Sequence, residues 1–215
     1  MLGISYSQPS DNQPIQASIL KERRLLTSWI TPDSLEVQNK YDQITKGLSS
    51  TEDKVLACLR FASDIPYTQF VKVSVNVAGK TFVENDCWLQ PAEAIFSPRL
   101  NCANKTYLLA SLLRQELPAE NVYACLGNLN TDGQSGHAFG YIRLDGKDYI
   151  LETTNPSVRD KLIPIETVGI YEDIIYFNDL GVRAVPERTI REPFSACYNC
   201  EPFLIDYLAR EFCRA

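Results

Sequence analysis

Imidazole is almost missing from this chain: of 215 residues, only His137 carries one. Any reaction that needs an imidazole must use that ring, and a zinc site built from several histidines is excluded. Clustered positive charge is also lacking. There are 21 Lys and Arg against 27 Asp and Glu, a net charge of −6, and basic residues come only in pairs such as Arg23-Arg24. This excludes nucleic acid as the main partner, because phosphate binding needs gathered Lys and Arg. No apolar run approaches the ~18 residues of a membrane span. The start M-L-G-I-S-Y-S-Q-P-S lacks the basic and apolar regions of a signal peptide. The expectation is a cytoplasmic protein with no membrane partner. No internal repeat or low-complexity tract interrupts the chain.

What is present is an ordinary globular composition, 45% hydrophobic and 22% charged, in a chain long enough to bury a large core. Its seven cysteines are odd in number and scattered, which favours reduced thiols over a disulfide framework. Residues 17–30 suggest an amphipathic helix, ended by Thr31-Pro32-Asp33. A second helix is expected over Ser34 to Lys46, and a third over Lys54 to Ala62 behind the N-cap cluster Ser50 to Asp53. From Phe70 the pattern alternates with period two around Ala78-Gly79-Lys80, which reads as a β-hairpin. A short helix spans Pro91 to Ile95, and a longer one ends near Leu117-Pro118. Strands are then expected at Val122 to Leu126, His137 to Leu144, Lys147 to Thr153 and Ile174 to Phe177. Loop and a terminal helix around Phe203 to Phe212 finish the chain. Helices first, then a central helix beside a largely antiparallel sheet, make the fold class α+β.

Two stretches carry chemistry. In R-L-N-C-A-N-K-T-Y-L-L-A-S-L-L-R (99–114), Pro98 biases the helix to begin after it. Asn101 is a favourable N-cap, which puts Cys102 in the first turn. Unpaired backbone N–H groups and the positive end of the helix dipole lie there, and both favour a negative charge. A lone cysteine is more often a small core hydrophobe, so position alone does not make Cys102 a nucleophile. The second stretch is G-H-A-F-G-Y-I-R-L-D-G-K-D-Y-I-L-E-T-T-N-P (136–156). Asp145-Gly146 signals a type I′ turn, and a two-residue loop sets Arg143 opposite Asp148 and Ile142 opposite Tyr149. The same register sets Phe139 opposite Glu152. His137 then lies diagonally across from Glu152 on the same face, within a glutamate's reach. A carboxylate that accepts from one ring nitrogen fixes the tautomer and leaves the other nitrogen for a thiol. Attack by cysteine on an acyl group also needs donors for the oxyanion. The Cys102 backbone N–H is one candidate, and either Trp88 Nε1 or Gln90, from W-L-Q-P-A-E, is the second.

These segments, W-L-Q-P-A-E, N-C-A-N-K-T-Y-L-L-A-S-L-L-R, V-Y-A-C-L-G, G-H-A-F and D-G-K-D-Y-I-L-E-T-T, resemble the transglutaminase-like cysteine peptidase superfamily, chiefly its bacterial and archaeal branch. The likeness covers about residues 86 to 156, with Cys102, His137 and Glu152 in the expected order. It implies a papain-like core and a Cys102–His137–Glu152 triad that hydrolyses or transfers acyl groups of an amide, peptide or protein substrate without a cofactor. The pattern along the chain divides it into three expected parts: a helical extension over 1–65, a catalytic core over 66–185, and a loop and helix over 186–215, the first and last outside the resemblance. The chain departs from the pattern around the nucleophile, where relatives carry G-D-C-E-D or similar and this sequence has L-N-C-A-N. That departure motivates a second reading, a catalytically silent module that binds peptides in the same cleft. A third reading uses Cys197, Cys200 and Cys213 for metal, but a zinc site needs about four ligands. Cys58 and Cys125, in apolar periodic segments, read as packing residues. Cys87 and the polar run Asn128 to Gly136 are candidate cleft walls. Nothing in the sequence fixes the substrate or the oligomeric state.

Overall fold

A computed structural model describes residues 26–69, 71, 73–77, 80–84, 88–129, 135–167 and 171–184 of the chain. The first described element is a 3-10 turn, Leu26–Trp29, where a longer amphipathic helix was expected; the rest of 17–25 lies outside the described residues. The turn ends just before Thr31-Pro32-Asp33, as expected, and the chain there docks on α4 and its exit. Thr31 N donates to Ser111 Oγ at 3.0 Å, and Gln115 donates to the Pro32 carbonyl at 2.7 Å. Helix α1 (Leu35–Thr45) and helix α2 (Thr51–Asp64) follow as the periodicity requires. Ser50 caps α2 by accepting from Asp53 N at 3.0 Å. Strands β1 (Val73–Val77) and β2 (Lys80–Glu84) form the expected hairpin as a separate two-stranded sheet, with Val77 opposite Lys80.

The short helix α3 (Pro91–Ala94) precedes the central helix α4 (Cys102–Leu113). Every residue of α4 after Cys102 is buried. Helix α4 closes earlier than the sequence suggested: Gln115 and Glu116 bond to carbonyls three residues back, which tightens the exit into a turn. Then come β3 (Val122–Leu129), β4 (Ser135–Leu144), β5 (Lys147–Leu151), β6 (Ile163–Pro164), β7 (Tyr171–Phe177) and β8 (Val182–Ala184). They form one sheet in the order β6-β5-β4-β3-β7-β8 with antiparallel pairings throughout. Strands β3 and β7 run longer than expected, β6 and β8 were not foreseen, and β3 and β4 take up both ends of the Asn128 to Gly136 run. The C-terminal helix, Cys87 and the three C-terminal cysteines lie outside the described residues.

Helix α4 is the hub. It packs on β3 and β4 on one side and against α1, α2 and α3 on the other. Leu108, Leu109, Leu112 and Leu113 join Val37, Val55, Leu59, Val122, Ile142 and Phe177 in one core cluster. Helix and sheet approach closely at Gly140, where an added Cβ would sit 3.1 Å from Leu151 Cβ and 3.5 Å from Leu109 Cδ2. Cys58 and Cys125 are fully buried packing residues, as their periodic setting implied. The architecture is the α+β class expected: a core whose cysteine-bearing helix lies on an antiparallel sheet, preceded by helices.

Candidate active site

The local sequence builds the helix start as expected. Asn101 is extended (φ −85°, ψ 178°), and its side chain accepts from Asn104 N at 2.9 Å, which leaves Cys102 as the first helical residue. Cys102 is partly exposed and unlinked, whereas Cys58 and Cys125 are sealed in the core. Burial pushes the Cys58 thiol up to about 12, so that cysteine is inert.

The β4–β5 hairpin supplies the other two residues. Asp145 (φ 51°) and Gly146 (φ 75°) both take left-handed conformations, as a type I′ turn demands. The resulting register has Arg143 opposite Asp148 and Ile142 opposite Tyr149. Arg143 Nε and Nη2 grip the Asp148 carboxylate at 2.7 and 2.9 Å. Strand β5 ends at Leu151, two residues before the expected Thr153. Glu152 leaves the ladder because Thr154 N and Oγ1 each donate to its Oε1 at 2.6 Å. Its other oxygen, Oε2, lies 2.7 Å from His137 Nε2. The side chains of His137 and Glu152 are only 11% and 3% exposed, and the imidazole stacks on Phe139 with ring centroids 6.2 Å apart.

Electrostatics tie the ring to both neighbours. Burial works against a charge on His137, but hydrogen bonds to Cys102 and Glu152, and the charge of each, outweigh it and push the imidazole up to about 10. Burial likewise opposes the Glu152 carboxylate, yet His137 and Thr154 hold it down to about 2. Since Glu152 occupies Nε2, the nitrogen left for Cys102 is Nδ1. The structure therefore brings Cys102, His137 and Glu152 together.

The two oxyanion candidates differ. Trp88 is 8% exposed, and its Nε1 is buried without a hydrogen-bond partner. An unsatisfied buried donor is costly unless something uses it. Its ring packs edge-on against Tyr107 of α4 (5.1 Å) and Trp29 (5.5 Å), which fixes its orientation. Gln90 instead serves as the N-cap residue of α3, its backbone N donating to Glu93 Oε2 at 3.0 Å.

Two residues that the sequence reading did not assign a role complete the surroundings. Asn104, fully buried, accepts from Leu89 N at 2.6 Å and so binds the Trp88–Gln90 segment to the first turn of α4. Lys105, 1% exposed, donates to the Ser63 carbonyl at 2.9 Å and to the Thr153 carbonyl at 3.1 Å. The signal for both was available: polar residues in the first turns of a helix that runs on into Leu108, Leu109, Leu112 and Leu113 must find partners if buried. Among the described residues no group of three His, Cys, Asp or Glu side chains gathers to hold a metal ion, and no helix is long and apolar enough to cross a membrane.

By sequence the chain matches no family model and no curated protein. By structure it is similar to Legionella pneumophila LapG, with a TM-score of 0.52 at 15% identity over 69% of this chain and 75% of that one. The EGTA-treated form aligns with a TM-score of 0.53 at 15% identity over 71% and 76% of the two chains. The calcium-bound form aligns with a TM-score of 0.54 at 14% identity over 81% and 86%. The chain and LapG share a fold.

Proposed function

We propose that this chain is a cysteine-dependent hydrolase or acyltransferase of the transglutaminase-like kind, acting on an amide, peptide or protein. One observation carries the reading: a single imidazole is held between a cysteine at a helix start and a buried carboxylate 2.7 Å away. The structural likeness to LapG, a transglutaminase-like cysteine peptidase, supports it.

Cys102 attacks as thiolate while His137 carries the proton. Its sulfur forms a bond to the carbonyl carbon, and the electron pair moves onto the oxygen. The Cys102 backbone N–H is the oxyanion donor, and Trp88 Nε1, sealed from solvent without a partner, is the candidate for the second. On collapse, His137 Nδ1 gives its proton to the leaving amine and a thioester remains. Neutral His137 then takes a proton from water or from an acceptor amine, and the attack of that nucleophile releases Cys102. Glu152 keeps Nε2 protonated throughout.

The altered residues around the nucleophile do not favour a silent binding module. Asn101 and Asn104 have structural duties that acidic residues could also perform, namely capping α4 and holding Leu89 N. The test is turnover and covalent labelling with amide and ester acyl donors. A stable adduct on Cys102, absent in His137→Ala, is expected. Labelling that ignores His137→Ala would sink the reading.

A further inference from the structure

Lys105 is the one lysine of the described chain sunk into the central helix, and the proposed reaction has no use for its charge. Desolvating an ammonium is costly unless it is well paired, so its placement calls for a reason. Its Nζ spans two separate elements: the Ser63 carbonyl at the end of α2 and the Thr153 carbonyl just past β5. Thr153 is the peptide between Glu152 and Thr154, and Thr154 donates twice to the Glu152 carboxylate. Lys105 also lies one turn along α4 from Cys102. The charged groups facing the ammonium are Glu152 after β5 and Asp64 at the end of α2, the latter paired with Arg159.

We propose that Lys105 is a positioning residue: its ammonium clamps the Thr153 carbonyl to the cysteine-bearing helix and so fixes where Glu152 presents its carboxylate to His137. The first turns of α4 would thereby set both ends of the triad, the nucleophile directly and the acid through this lysine. The inference rests on the triad reading above and deepens it. Burial supports the geometry: it pulls Lys105 down to about 8, with Glu152 and Asp64 opposing, so the clamp is a buried cation and not a solvated one.

Because His137 is the only histidine, its ring signals in a histidine-labelled sample need no assignment, and its titration can be followed directly by NMR in the full chain. Two effects of Lys105→Met have opposite signs. Removing a nearby positive charge, with nothing else moved, raises the imidazole's proton affinity. Letting Glu152 drift from Nε2 lowers it, by about one pH unit or more for a tenfold loss of that interaction. The expected result is a midpoint lower than in the parent. A midpoint that is unchanged or higher overturns the proposal, whatever the change in melting temperature. Lys105→Arg, which restores a cationic donor, should recover part of the shift. If Lys105→Met does not fold, Lys105→Gln replaces it under the same criterion; if neither folds, Lys105 serves the fold and the proposal is overturned. The triad reading fails separately, through a parent ring that titrates near 6.5.

Discussion

The two ends of α4 are held by different kinds of interaction, and under the proposed function the difference separates function from stability. At the C-terminal end, charged groups gather around the exit turn. Glu116 takes hydrogen bonds from Tyr41 and Thr51 and an ion pair from Lys54, and Arg114 grips Asp179 at 2.7 and 3.1 Å. Burial opposes the Glu116 charge, but those donors keep its carboxyl below the usual range. These contacts join α1, α2 and the β7–β8 corner to one helix end, and every strong group has found its partner. At the N-terminal end the polar groups are as tightly arranged but incompletely spent. Trp88 Nε1 has no partner and Cys102 is left partly open, while His137 is held by Glu152 on one side and Cys102 on the other. An end built for stability closes its hydrogen bonds; an end built for chemistry keeps some for a ligand.

Substitutions can break this contrast, beginning with the largest effect. Cys102→Ala should lower acyl-donor turnover by about 10⁴-fold or more, since triad members act as a unit, while its melting temperature stays near the parent's. A comparable fall is expected for His137→Ala, read in the same assay, because no second imidazole can replace it. Glu152→Gln should cost about 10³-fold in kcat, with the imidazole midpoint moving down. At the opposite end Glu116→Ala should reverse the pattern. It leaves Tyr41, Thr51 and Lys54 without their acceptor, and chemical denaturation should show a loss of about 1–3 kcal/mol, while turnover per folded molecule is unchanged. If Glu116→Ala instead halts turnover at full stability, the two ends are not distinct in the way described.

The smallest effect is in pH. His137 is raised on folding, so the stability its proton contributes is complete below about 6.5 and is lost as pH rises through about 10. Glu152 is lowered on folding, so its contribution is complete above about 4.5 and is lost as pH falls through about 2. Melting temperatures across this range should show both limbs, and Glu152→Gln should flatten them relative to the parent.

Where the sequence was legible, the governing physics was local. Asn101 before Cys102 marked a helix start through capping, and Asp145-Gly146 marked a turn through its two left-handed residues. Once that turn was fixed, the period of two set the register that carries His137 toward Glu152. What could not be read depends on distant partners. Lys105 bonds to residues 42 and 48 positions away, and one of those bonds goes to the carbonyl of Thr153, just after Glu152. The docking of Thr31 N on Ser111, 80 residues along, is likewise invisible in the local sequence. Asn104 sat in plain sight as a departure from a familiar pattern, and only its contact with Leu89 N gives that departure a physical meaning.

The central claim is that Cys102, His137 and Glu152 form one electrostatic unit, and the lone histidine allows a direct check. In a histidine-labelled parent chain followed by NMR across pH, the ring should hold its proton at both nitrogens through neutrality and titrate near 10, with Cys102→Ala and Glu152→Gln each lowering the midpoint. A ring that titrates near 6.5, indifferent to both substitutions, would contradict the account.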